Sequence, residues 1–157
     1  MRTLVIYDSF FGNTEQIAQA ISQALSSPEK VGLFRVSNVR PEHLTGVELL
    51  VVGSPTRGFR PTEGIRDFLK GISSKGLAGV RVAAFDTRLA TSDIKSAVLR
   101  MLVNIGGYAA KPIAGRLKKK GGELIMPPEG FFVEGTEGPL KAGELERAAD
   151  WARQINQ

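Results

Sequence analysis

The sequence contains no cysteine and a single histidine. The first absence removes disulfides, thiolate nucleophiles, zinc fingers, iron–sulfur clusters and dithiol redox pairs together, and it suits a reducing compartment. Any redox chemistry must then be carried by a bound cofactor. His43 lies in a polar turn and reads as surface structure, and no cluster of side chains has metal spacing, so no metal is expected. The carboxylates show no pairing that suggests acid–base hydrolysis. Long apolar runs are missing too. The stretch Leu4 to Ile6, behind Arg2, ends at Asp8, far too short for a signal-peptide core or a membrane span, so a cytoplasmic protein with no membrane partner is expected.

What is present is the composition of one soluble globular domain over residues 1–157, with 42% hydrophobic, 24% charged and 7% aromatic residues. A chain of this length buries roughly 70% of the surface its unfolded form exposes, enough for a core without a staple. The net charge of +5 is unevenly placed, because residues 1–120 carry +9 and residues 121–157 carry −4. A basic body attracts nucleic acid, an anionic membrane or an acidic protein. The basic stretch lacks interleaved aromatics and any recognised motif, so a nucleic-acid partner is not expected.

Apolar runs alternate with helical periodicities. Thr3 to Tyr7, Leu49 to Gly53 and Val80 to Phe85 read as buried parallel strands, and Val31 to Val36 as a more polar strand near an edge. Ile17, Ile21, Ala24 and Leu25 fall at helical spacing, ended by Ser26-Ser27-Pro28. Ile65, Phe68, Leu69 and Ile72 form a stripe capped by Thr62. Ile94, Ala97, Val98, Met101, Leu102 and Ile105 make the cleanest stripe, ended by Gly106-Gly107, and Leu145, Ala148, Ala149, Ala152 and Ile155 close the chain. Residues 108–135 fit less well. Ala109 to Ala114 reads as strand, 115–122 as a basic Lys- and Gly-rich insertion, and Phe131 to Val133 as the strand resumed. The alternation implies a parallel sheet with helices on both faces, and in such sheets ligands bind beyond the carboxyl ends of the strands.

Three loops should therefore hold the site. In Ser9-Phe10-Phe11-Gly12-Asn13-Thr14, backbone amides around Gly12, the Ser9, Asn13 and Thr14 side chains and a helix N-terminus make a phosphate pocket without Lys or Arg. An ordinary turn capped by Asn13 or Thr14 is the other reading. The second loop, Gly53 to Thr62, is stiffened by Pro55, Gly58 and Pro61, and Phe59 has no periodic reason to be there: it either stacks on a flat ligand or tucks into a local cluster. The third, Thr87 to Asp93, offers Thr87, Arg88 and Leu89, while Ser92 or Asp93 caps a helix.

Together these loops resemble the flavodoxin family across nearly the whole chain. Ser9, Gly12, Asn13 and Thr14 match the family's [ST]-x-T-G-x-T phosphate loop, with Phe11 in place of a Thr. Gly53-Ser54-Pro55-Thr56 followed by Arg57 is similar to the second loop of flavodoxin-like quinone reductases. The resemblance implies a three-layer, doubly wound, five-stranded parallel sheet in the order 2-1-3-4-5, its last strand interrupted by an insertion. It also implies FMN as cofactor. The phosphate would lie on Ser9, Phe10, Phe11, Gly12, Asn13 and Thr14, the ribityl chain at Thr56, and the ring among Pro55, Arg57, Gly58, Phe59, Thr87, Arg88 and Leu89. The aromatic usual after the second-loop Thr is Arg57 here, and the third loop lacks the Tyr that commonly stacks on the ring. Arg57, Arg60 and Arg88 around the ring would favour the negatively charged reduced flavin, making full reduction less negative in potential than in acidic flavodoxins. These arginines, with Lys111, Arg116, Lys118, Lys119 and Lys120, would dock an acidic redox protein.

The expected function is an FMN-binding electron carrier shuttling between redox partners. A flavodoxin-fold binding or regulatory module with weak FMN affinity, and a small FMN-dependent NAD(P)H:quinone reductase, are the alternatives.

Overall fold

The computed structural model describes residues 2–25 and 30–155, with backbone alone at 103–106. Every residue of strand β1 (Thr3–Tyr7) is buried, and the alternation of the strands divides the core in two. Leu4 and Ile6 of β1, Leu50 and Val52 of β3 (Leu49–Pro55), and Val82 and Ala84 of β4 (Arg81–Leu89) face one layer. There they meet Ile65 and Leu69 of helix α2 (Glu63–Gly71) and Ile113 and Leu117 of α4 (Ala110–Lys119). On the other face, Val5, Val51, Ala83 and Phe85 meet Ile17 and Ile21 of α1 (Asn13–Ala24) and Trp151 and Ile155 of α5 (Glu144–Ile155). Phe85, Phe131 and Trp151 pack edge to face, with ring centroids 6.1–6.2 Å apart. Gly53 is needed beneath this cluster, since a Cβ there would lie 2.0 Å from the Phe85 ring.

All strands are parallel, in the order β2-β1-β3-β4-β5, with β2 (Val31–Arg35) half-buried at the edge. The fifth position is shared. β5 (Glu123–Leu124) pairs with the start of β4, and β6 (Glu129–Val133) pairs with its end, opposite Phe85 to Leu89. The doubly wound sheet is as the sequence implies, with an interrupted last strand, but the break falls at residues 125–128. Pro127 and Pro128 there have no N–H for the ladder.

Four expectations need correction. Residues 110–119 form α4, not a strand and an insertion: Ala110, Ile113, Ala114 and Leu117 are buried at i, i+3, i+4 and i+7, and Pro112 in the first turn disguises the pattern. The basic side chains of 111–119 therefore ride on the outer face of a crossover helix. β4 runs through Leu89, so Thr87, Arg88 and Leu89 are strand residues held by β6 and not loop residues. In α5 the buried face is Glu144, Ala148, Trp151, Ala152 and Ile155, which leaves Leu145 exposed. Finally, the stripe beginning at Ile94 is not core. Ile94 is buried ahead of α3 (Ala97–Gly106), but Val98, Leu99, Met101 and Leu102 stand exposed, because α4 takes the place on the sheet beside α2. The first-helix stop at Ser26-Ser27-Pro28 and the side chain of Ile105 lie outside the described residues.

Candidate functional site

A cleft of about 250 Å³ opens at the carboxyl ends of β1, β3 and β4. It gathers all of the sequence's candidate residues except Gly12, the N-cap of α1, and Arg60.

The first loop is braced from below. The Asp8 carboxylate accepts from the Ser9 amide (2.9 Å) and from the Thr62 hydroxyl (2.6 Å), and the Arg35 guanidinium donates to the Ser9 carbonyl at 2.7 Å. The Gly12 amide donates to Ser9 Oγ (3.0 Å), and Gly12 takes φ +90°, a conformation that favours glycine, at the N-cap of α1. The first bond across the N-cap is from the Gln16 amide to the Gly12 carbonyl, so the amides of Asn13, Thr14 and Glu15 precede the helical ladder and point out of its N-terminus. The Thr14 and Thr87 hydroxyls meet at 2.8 Å in the interior, tying this loop to β4. Asn13 donates to the Glu137 carbonyl (3.2 Å), which brings the loop after β6 over the same end. Ser9 and the Thr14–Thr87 pair each keep a hydroxyl proton to donate, and together with the open amides these make an anion cradle. Arg35, which the sequence did not single out, touches the loop from behind; its signal was only its place at the end of β2.

The second loop is a two-residue hairpin. Arg57 and Arg60 exchange both backbone bonds (2.8 and 3.1 Å), which forces left-handed φ on Gly58 (+53°) and Phe59 (+69°). Phe59 is the one non-glycine residue with positive φ among the described residues, a conformation costing about 1–2 kcal/mol. That strain fixes an aromatic in the wall of the cleft. Thr56 Oγ1 accepts from the Ala109 amide (3.1 Å) and keeps its proton for the cleft. Arg57 lies over the rings of Phe10 (4.9 Å) and Phe11 (5.9 Å), bridging the first two loops at the mouth. Arg60 is not in the lining, so the ring of arginines inferred from the sequence loses one member.

Arg88 is the second. Its guanidinium makes two bonds to Asp86 (2.7 and 2.6 Å), whose carboxylate is fully buried and also accepts from the Ala110 amide at 2.8 Å. Burial pushes the Asp86 carboxyl above the usual range, against the pull of Arg88 and the amide. Arg88 also lies 3.9 Å from the centre of the Tyr108 ring, and Gly130 leaves it room, since a Cβ there would fall 2.1 Å from Arg88 Nε. Its charge is thus matched inside the protein, and Arg57 alone brings an unmatched positive charge to the cleft.

The sequence reading missed Ile94, Leu99, Tyr108, Val133 and Thr136, which complete the lining. Tyr108 gave the same signal as Phe59, an aromatic outside any stripe just after a glycine. Its hydroxyl is fixed by Thr91 Oγ1 (3.0 Å) and the Leu89 carbonyl (3.2 Å). The lysines beyond Arg116 lie elsewhere. α4 starts at Asp86 near the cleft and ends where Glu123 pairs with Arg81, about 15 Å further on at the opposite edge of the sheet.

The family model described as flavodoxin matches residues 5–151. Among solved structures, an archaeal flavodoxin superposes with a TM-score of 0.77 at 21% identity, covering 99% of this chain and 96% of that one. Flavodoxin 2 from Bacillus cereus gives 0.74 at 23%, covering 97% and 95%. A flavodoxin, WrbA-like protein from Agrobacterium tumefaciens gives 0.68 at 17%, covering 99% and 94%. No curated protein matches the chain in sequence.

Proposed function

The chain belongs to the flavodoxin family, and from that premise we propose that it binds FMN in the cleft and carries electrons between redox partners. FMN, when bound, supplies the one- and two-electron chemistry that the side chains lack. The observation that supports this most is the pairing of an anion cradle with an apolar slot in one cleft. The amides of Asn13, Thr14 and Glu15 and the Ser9 and Thr14 hydroxyls suit a phosphate by dipole and hydrogen bond, without a cation. The Phe59 and Tyr108 rings and the Leu89 and Val133 side chains offer the apolar walls that a flat ring needs, and Thr56 lines the same cleft. The residues present fit the group.

Their tasks are binding, orientation and electrostatics. Thr87 and Thr14 lock the cradle to the sheet, Asp86 and Tyr108 fix Arg88 in the wall, and Phe59 presents its ring from a strained turn. Arg57 supplies positive charge at the mouth. A fluorescence titration with FMN tests the reading: stoichiometric quenching of the flavin supports it, and absence of binding refutes it.

One observation favours the binding-module alternative. Phe10 and Phe11 lie under Arg57 across the mouth, and Phe11 supplies no hydroxyl to the cradle. Substituting Phe11→Thr tests this, since it should raise FMN affinity if the missing donor limits binding.

A further inference from the structure

Helix α3 is amphipathic the wrong way round. At 3.6 residues per turn, Val98, Leu99, Met101 and Leu102 share an arc of roughly 160°, and they are 63%, 44%, 55% and 44% exposed. Arg100 points to the opposite side, where it is half-buried and donates to the Ile94 carbonyl at 2.6 Å. A helix that packs on its own domain does the reverse. Apart from Leu145, the other large apolar side chains exposed among the described residues are Phe10 (57%) and Phe11 (47%), and these share the cleft's lining with Leu99. The exposed apolar surface is therefore one rim, running from the first loop across the mouth onto α3.

Basic groups gather on the second-loop and α3 side of this rim, whereas the exposed acids Glu134 and Glu137 stand on the loop after β6 that carries Thr136. Arg57, Arg60 and Lys95 stand exposed on the basic side. The only acid between residues 88 and 122 is Asp93, which is matched by Lys141 at 2.5 Å. We propose that this rim is the docking face for a redox protein whose contact patch is apolar at its centre and ringed by Asp and Glu; this rests on the carrier reading above. Six large side chains, each about half exposed, offer on the order of 600 Å², the per-partner area of a transient electron-transfer encounter. An interfacial membrane helix needs a basic polar face, and the polar face of α3 is turned inward at Arg100. The cations of the last turn of α4, Arg116, Lys118 and Lys119, lie at the far edge of the sheet and do not contribute.

The test uses the ¹⁵N-labelled full chain, with an acidic [2Fe–2S] ferredoxin as probe and basic cytochrome c as control. Docking predicts ferredoxin-induced broadening confined to residues 10–11, 57–60 and 95–102, lost at high salt, with no response to cytochrome c. The double substitution Met101→Gln and Leu102→Gln should weaken ferredoxin binding about tenfold while leaving thermal unfolding unchanged. A footprint on residues 111–120, no footprint, equal affinity for cytochrome c, or an unchanged affinity in the double variant overturns the proposal. So does sedimentation as a dimer, or pelleting with anionic vesicles, that buries α3. FMN titration of the same sample judges the carrier reading separately, since the footprint needs no flavin signal.

Discussion

Removing Arg88 should destabilise the protein far more than neutralising its partner Asp86. The two groups are unequal: Asp86 is fully buried, whereas the Arg88 side chain keeps 19% of its surface in water. Arg88→Ala leaves a buried carboxylate with one backbone donor, at Ala110, and breaking a buried pair in this way costs about 3–5 kcal/mol. It also removes the stack on Tyr108, adding roughly 0.5–1 kcal/mol. In Asp86→Asn the amide oxygen still accepts from Ala110 and Arg88 turns toward solvent, so the loss should be about 1–2 kcal/mol. The asymmetry should depend on pH. Burial already raises the Asp86 carboxyl, and without Arg88 it rises further above its unfolded value. A raised pKa favours the folded state most where the group is protonated, so Arg88→Ala should recover stability on acidification from pH 7 to 5. Urea unfolding of both variants at the two pH values measures this. Equal losses, or a larger loss for Asp86→Asn, would refute the reasoning.

Other outcomes follow from the same geometry. Glu144 is mostly buried; burial acts to raise its carboxyl, but Arg147 and the Phe132 amide outweigh this and hold it below the usual range. Its contribution should be present above the unfolded value and fade as pH falls through the folded one, so Glu144→Gln should flatten the acid limb of a stability-versus-pH curve. Gly53→Ala should cost several kcal/mol in chemical unfolding, as the Phe85 ring has no space to give. Phe59→Asn should stabilise the protein by about 0.5–1 kcal/mol by relieving the left-handed turn and weaken FMN binding in the same preparation; a loss of stability would show that the ring is structural. Arg57→Gln should lower the potential of full reduction by about 20 mV, the two-electron equivalent of roughly 1 kcal/mol, and more than Arg88→Gln does, as read by spectroelectrochemistry.

Where residues were buried on both sides, pattern and structure agree: β1, β3 and the α2 stripe are legible because central parallel strands and sheet-covering helices obey one period each. The first and second loops were legible because Gly12, Pro55 and Gly58 mark turns. The segment after β4 was not. α3 has the stronger apolar stripe but lies off the sheet, while α4, with Pro112 and Gly115 in it, covers the core. Periodicity reports that a helix has two faces, and which helix wins the place on the sheet depends on tertiary contacts that a local pattern does not contain. The pairing of Arg88 with Asp86 was hidden for another reason. Two residues apart on a strand, they share a face only because β4 extends beyond the point where its apolar run ends.

The most direct measurement is equilibrium binding of FMN to flavin-free protein, compared with riboflavin, which lacks the phosphate. One-to-one FMN binding with Kd below about 1 μM, and riboflavin weaker by at least about tenfold, is the expected result. Absence of FMN binding, or equal affinity for the two flavins, would contradict the cleft's assignment as a cradle for the phosphate and a slot for the ring.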